Sequence, residues 1–264
     1  MVSVQKVIDA IRQAAPETLQ ESWDNSGVQI LTDPEQTVER ILSCLEINDD
    51  IVEEAIARKA DLIVTHHPLI FGKLSAVRAD DVVGGQIIRL IRAGISVYSA
   101  HTSFDSARMG TNEDLARQLG LSRIRPMETA ADDPEAGMGR IGEYDPPVPF
   151  SAFVEKVKTV CGGNSFRAAG TLPEQVGRVT LCTGAGAEFL EEACRNGSDV
   201  YLTGDVKYHD ARRASDIGLC VIDAGHYGTE VLFGENMAAQ LREILGSSAE
   251  VLVAGTDINP FIEL

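Results

Sequence analysis

The chain reads as an α/β protein made of two related halves. Three observations predict this. Short apolar runs alternate with amphipathic helical stretches, one such unit recurs later in the chain, and a proline- and glycine-rich stretch lies between the copies.

The first stretch, up to Ala15, has the apolar spacing of an amphipathic helix. The first copy of the repeat follows. Ile41–Leu45 is an apolar run, Asp49–Lys59 has helical character, and Asp61–Thr65 is a second run. In the second copy Val179–Cys182, Ala187–Asn196 and Asp199–Thr203 take the same places. Arg40, Cys44, Glu53, Glu54, Ala55, Asp61 and Thr65 recur without a gap as Arg178, Cys182, Glu191, Glu192, Ala193, Asp199 and Thr203. Two β-rich runs around a helix of this length form a parallel βαβ unit.

Each copy continues into a helical stretch, a glycine and a third strand, Gly94–Tyr98 or Gly218–Ile222. A histidine-bearing loop and a helix ending at Leu119 or Leu241 come next. Between the copies, residues 126–149 read as a linker with one short strand at Gly139–Glu143, and a helix near Ser151–Val160 opens the second half. The expected halves are residues 1–125 and 126–264, with the C-terminal segment able to pack back on the first. In such folds function gathers at strand C-terminal ends facing a crevice, here the one between the halves.

Composition narrows the function. With 44% apolar and 24% charged residues the chain is an ordinary globular protein. A formal net charge of −17 repels phosphate backbones, so nucleic-acid binding is disfavoured, and an anionic substrate needs a local positive centre. No apolar run reaches the roughly 18 residues of a membrane span. The start lacks the apolar stretch of a signal peptide. Five cysteines without a Cys-x-x-Cys pair fit free thiols in a reducing cytoplasm.

Histidine is scarce, and its placement is selective. His66 and His67 follow Ile63–Thr65, His101 follows Val97–Ser99, His209 follows the Thr203–Asp205 turn, and His226 follows Val221–Asp223. An adjacent pair inside a strand would point to opposite faces; at a strand end before Pro68 both rings can turn to one side. His101 with Asp105, and His226 with Glu230, are four residues apart, in corresponding places of the repeat. Imidazole with carboxylate suits zinc, iron, manganese, cobalt or nickel. Five or six such donors exceed one tetrahedral structural site and suit two ions roughly 3.5–4 Å apart. The Thr183-Gly184-Ala185-Gly186 turn hints at phosphate binding, yet it lacks the P-loop lysine, and a plain strand–helix turn is the better reading. Lys207, Arg212 and Arg213 read as solvated charges.

Glu21–Gly27, Thr65-His66-His67-Pro68, His101–Asp105, Gly139–Gly142, Thr203–His209 and Asp223–Glu230 together resemble the NIF-three-like dinuclear metal-centre family, often described as GTP cyclohydrolase 1 type 2 homologues. The resemblance runs in order over nearly the whole chain. It implies His66, His67, Asp105, His226 and Glu230 as ligands of two divalent ions, with Glu230 as the bridge. It implies His101 and His209 as proton-relay or substrate groups, and a homohexamer as the assembly. Glu46 stands where the family usually has aspartate, and Trp23 and Asn25 lie in the shared N-terminal segment. The expected function is metal-dependent hydrolysis of a nucleotide-like or phosphorylated substrate; the alternative is a non-catalytic metal-binding, chaperone or regulatory protein.

Overall fold

The computed structural model describes residues 2–163 and 166–262. In chain order the first unit carries β1 (Val2–Ser3), α1 (Val4–Ala14), β2 (Gly27–Ile30), β3 (Thr37–Val38) and β4 (Arg40–Cys44). It continues with α2 (Asp49–Ala57), β5 (Leu62–Thr65), α3 (Val82–Arg92), β6 (Ser96–Ser99) and α4 (Thr102–Ser106). The second unit holds α5 (Thr111–Gln118), β7 (Ser122–Pro126), β8 (Arg140–Pro149), α6 (Phe150–Cys161), β9 (Arg167–Ala169) and β10 (Gln175–Leu181). It ends with α7 (Leu190–Arg195), β11 (Val200–Thr203), α8 (Tyr208–Ile217), β12 (Cys220–Asp223) and α9 (His226–Glu230). The chain then returns to the first unit through α10 (Phe233–Leu245) and β13 (Glu250–Val253).

The compact units are Met1–Ala107 with Phe233–Leu264, and Arg108–Leu232. This division differs from the 125/126 boundary read from the sequence. The helix α5 buries Leu115 and Ala116 in the second unit's core, and β7 pairs with β8, so both belong to the second unit. The strand β13 lies parallel to β4, which places the C-terminal segment in the first.

The first sheet runs β13-β4-β5-β6-β2, and the second β7-β8-β10-β11-β12-β9. In each, three parallel strands form the middle and an antiparallel strand, β2 or β9, closes one edge. The strands β5, β6, β11 and β12 are buried along their whole length, as parallel strands covered on both faces must be. One face of the first sheet packs Leu42, Ile63 and Val97 against Ile51 and Val52 of α2 and Ile87 and Leu90 of α3. In the second, Val179, Leu181, Leu202 and Ile222 meet Phe153 and Val157 of α6, while Tyr201 and Val221 meet Leu190 of α7 and Ala214 of α8. Each large side chain so buried contributes about 1.5–3 kcal/mol relative to exposure.

The repeat appears in the register itself. Ile41 sits opposite Leu62 in one sheet, and Val179 opposite Val200 in the other. The carboxylate of Asp61 accepts the amides of Glu39 and Arg40 at 2.7 and 3.0 Å; that of Asp199 accepts those of Gly177 and Arg178 at 2.7 and 2.8 Å. Ala100 and Ala224 then each donate 2.8 Å amide bonds, to the carbonyls of Thr65 and Thr203. These matched bonds carry corresponding strand ends to corresponding places.

Residues 126–149 are not the linker expected. The strand β8 covers Arg140–Pro149 and pairs antiparallel with β10 along its length. Its other neighbour, β7, reaches only as far as Glu143. Pro146, Pro147 and Pro149 lie beyond that reach, where no ladder bond is needed on the outer side. The proline signal was real, but it marked a free strand edge.

Glu54 of α2 ties down the C-terminal segment. Its carboxylate accepts bonds from the Gly255 amide at 2.8 Å, the Thr256 amide at 3.0 Å, the Thr256 hydroxyl at 2.6 Å and Arg58 at 2.6 Å. Burial raises its pKa, but these donors outweigh burial and bring it from 4.5 down to about 2. A depressed carboxylate stabilises the fold above its unfolded pKa and loses that contribution as it protonates. In thermal melts, Glu54→Gln is therefore expected to be less stable than the parent at pH 7. The gap should be full above pH 4.5 and close as the pH falls towards about 2; a gap independent of pH would exclude this role.

Candidate metal centre

The first unit brings three histidines together at strand ends. His66 and His67 directly follow β5, and the chain bends at these two residues just before Pro68. Their rings lie 5.2 Å apart between centroids and are tilted by only 39°, so both turn to one side. His101, at the N-cap of α4, stands 5.1 Å from His66 and 5.7 Å from His67. A ligating nitrogen from each of the three fits within 4.8 Å of the others.

An oxygen atom holds Nδ1 of each ring. Nδ1 of His66, whose ring is fully buried, donates to the Ala100 carbonyl at 3.0 Å. That of His67 donates to Glu46 at 3.2 Å, and that of His101 to Asp24 at 2.7 Å. Once Nδ1 carries the proton, Nε2 carries a lone pair. Nε2 of His66 faces Asp105 Oδ1 at 3.5 Å, and the Asp105 carboxylate is buried.

The second unit repeats this arrangement with one histidine. Nδ1 of His226 donates to Asp205 at 2.8 Å, and Nε2 faces Glu230 Oε2 at 3.0 Å. His226 and Glu230 occupy the single helical turn of α9 that their spacing suggested. Gly225 turns the chain into it at φ +79°, and Gly228 lets it approach the Cys161 carbonyl, where a Cβ would come within 2.9 Å. Asp205 adopts the left-handed conformation at φ +53°, uncommon for a residue with a side chain, while its carboxylate reaches His226.

An Nε2 lone pair opposite an ionised carboxylate oxygen is repulsive unless a proton or a metal ion lies between them. Glu230 is almost fully buried, and an ionised carboxylate in that position needs a compensating charge. Imidazole nitrogen with carboxylate oxygen, each imidazole held through its far nitrogen, is the donor pattern of first-row divalent metal sites. The residues present are of the type such an ion takes: three imidazoles meet in the first unit, and the second offers one imidazole and a carboxylate. Three of the buried thiols are poor competitors: burial pushes Cys44 and Cys161 up to about 12 and Cys220 up to about 11.

The remaining residues fall into place around this set. The expected correspondence of the two His–carboxylate pairs is offset by one residue. His101 directly follows Ala100, whereas Gly225 separates Ala224 from His226. His101 bonds Asp24, and Asp105 faces His66. His209 is exposed in the first turn of α8, with its ring edge-on to Tyr208 at 5.3 Å. The Thr183–Gly186 turn is a strand–helix connection. Its amides at Thr183, Gly184 and Gly186 donate to Asn112, Thr229 and Thr203, which leaves no cradle for phosphate.

Sequence reading passed over Asp24 as a functional residue. Burial alone would raise its pKa, yet bonds from His101, Thr102 and Ser26 outweigh it and hold the carboxyl well below its usual range. The only local hint was its place in the Glu21–Gly27 segment. Its partner His101 is 77 residues away. Asn25 donates to the Ile70 carbonyl at 2.6 Å and joins two loops.

Among the described residues, no helix is long and apolar enough to cross a membrane. Residues 2–260 match the family described as Duf34/NIF3 (NGG1p interacting factor 3). A protein of Clostridium perfringens called GTP cyclohydrolase 1 type 2 homolog is 33% identical over 255 residues, 97% of each chain. One of the same name from Clostridium acetobutylicum is 33% identical over 98% of each chain. The crystal structure of a Bacillus cereus protein related to NIF3 shares the fold with a TM-score of 0.93 over both whole chains at 22% identity.

Gly184 provides a test of the second unit's half of this arrangement. It adopts φ +65°, and a Cβ there would lie 2.2 Å from Glu230 Oε1. Gly218, at φ +75°, has nothing within 4 Å of such an atom. Either glycine replaced by alanine should cost about 1–3 kcal/mol through backbone strain. Only Gly184→Ala should also lower the metal content of purified protein, at least about tenfold in affinity. Equal metal content in Gly184→Ala and Gly218→Ala would refute the assignment of Glu230.

Proposed function

We propose that this chain, which belongs to the Duf34/NIF3 family, is a metal-dependent hydrolase whose dinuclear centre is held by His66, His67, Asp105, His226 and Glu230. The observation that carries the reading is that Nε2 of a histidine faces a buried carboxylate in each unit. Neither unit's share of the five completes the four to six donors that such ions take. The reading therefore draws on donors of both units, as the family resemblance implies.

Divalent ions held there supply a water of lowered pKa and a positive centre for developing negative charge. The protein's own groups do the rest. Ala100, Glu46 and Asp205 fix the tautomers of His66, His67 and His226, so that Nε2 is the donor in each. Asp24, kept ionised by its donors, holds the proton on Nδ1 of His101 and makes Nε2 the atom that takes up or delivers a proton. His209 has no such carboxylate among its described neighbours, so we assign the relay to His101 and leave His209 a substrate-contacting role. The substrate class, nucleotide-like or phosphorylated, follows the names of the curated relatives, and a homohexamer is the proposed assembly.

Elemental analysis is expected to give close to two metal ions per chain, and sedimentation velocity the mass of a hexamer. Across a panel of nucleotides and phosphomonoesters with zinc, manganese, iron, cobalt or nickel added, one substrate class should turn over. His67→Ala and Glu230→Ala should abolish that turnover with the circular dichroism unchanged. His101→Ala should keep the metal and lose about 10²–10⁴-fold in kcat. Two bound ions with no turnover by any metal would replace catalysis with the metal-binding or delivery reading.

A further inference from the structure

Trp23 is the only tryptophan in the chain, and its side chain is 59% exposed; Phe71 is exposed to the same degree. Large aromatic rings left in water forgo a favourable burial term. These two are not scattered. Their centroids lie 6.3 Å apart with the ring planes inclined at 55°, and each makes a T-shaped contact with His101, Trp23 at 5.9 Å and Phe71 at 6.3 Å.

Hydrogen bonds on either side hold the rings outward. Next to Trp23, the Asp24 side chain is out of contact with solvent and accepts bonds from His101, Thr102 and Ser26. Asn25 donates to the Ile70 carbonyl, Gln29 accepts from the Ile70 amide at 3.1 Å, and Gln29 donates to the Asn25 carbonyl at 2.8 Å. The loop carrying Trp23 is thus tied to the residue before Phe71. Rings that could fold inwards are instead fixed at the edge of the histidine group.

We propose that Trp23 and Phe71 form a preorganised platform in which a planar heteroaromatic ring of the substrate stacks on the Trp23 face while the inclined Phe71 ring flanks it, with the groups borne by that ring beside Nε2 of His101 and His67. This rests on the reading of the histidine group as the reacting centre. Two observations favour a ring over an apolar partner surface. The platform is bordered by polar groups, His101, His67 and Asn25, where an interface core would be apolar. It also adjoins the one place in the unit where three imidazoles meet. Stacking tolerates many ring types, so the platform sets position and leaves selection among bases to other contacts.

Because Trp23 is the sole tryptophan, its fluorescence reports on the platform alone. Titration with guanosine or cytidine is expected to quench it at millimolar nucleoside, and ribose 5-phosphate, which has no ring to stack, is not. Phe71→Leu should weaken guanosine binding at least about fivefold with zinc content unchanged. Asp105→Asn should lose zinc yet keep the quenching, which separates the platform from the metal reading. Stacking without turnover by any metal would overturn the hydrolase assignment and leave the platform standing. Equal quenching by ribose 5-phosphate, or none by either nucleoside, would overturn the platform. So would a signal that follows protein concentration instead of nucleoside, since the rings would then serve contact between copies.

Discussion

A neutral imidazole whose Nδ1–H donates a hydrogen bond to an oxygen presents a lone pair on its far side. A carboxylate oxygen set before that nitrogen presents another. Two acceptors at 3.0 or 3.5 Å repel, and the repulsion is strongest where water is excluded. His66 with Asp105 and His226 with Glu230 are both held this way by bonds that fix the tautomer from behind. A proton on Nε2 or a metal ion resolves the conflict in either place, and imidazole with carboxylate are donor types that a divalent ion prefers. The rest of the molecule can be understood as the means of keeping these groups in position.

The β-α-β repeat does most of that positioning. Asp61 and Asp199 clamp the start of the neighbouring parallel strand through its amides, so the strands leave both sheets in the same register. His66 follows its strand immediately, while Asp205 is reached from the corresponding strand by a Thr-Gly-Asp turn. Equivalent strand ends therefore provide a proposed ligand in one unit and, in the other, the residue that bonds Nδ1 of one. Gly184 belongs to the same logic: the turn after β10 must pass so close to Glu230 that no side chain fits. Features that resemble a phosphate loop in the sequence are here the clearance for a buried carboxylate.

Much of this could be read before the structure. The repeat was visible because identities such as Asp61 with Asp199 and Thr65 with Thr203 mark the clamp and the strand end, both local in sequence. The histidines stood out because they follow apolar runs, where an α/β sheet delivers its functional groups. Pairings between distant loops were not legible. Nothing near Asp24 announces that it bonds a histidine 77 residues on, and nothing near Glu46 announces His67. The boundary of the units was misplaced for a similar reason: β7 and α5 belong where their partners are, and periodicity records only that an element exists. Proline in β8 misled because its cost depends on whether a neighbouring strand needs the missing amide, which is a property of the sheet.

The uneven division of donors between the units is itself informative. The first offers three imidazoles and a carboxylate, and the second one imidazole and a buried carboxylate. Two protein donors hold a first-row ion poorly, yet the second unit spends an unfavourable Asp205 conformation and a glycine that excludes any side chain to set its pair in place. Such local strain persists only where surrounding structure or a ligand compensates. A pair of donors held that rigidly is what the proposed metal site requires of the second unit.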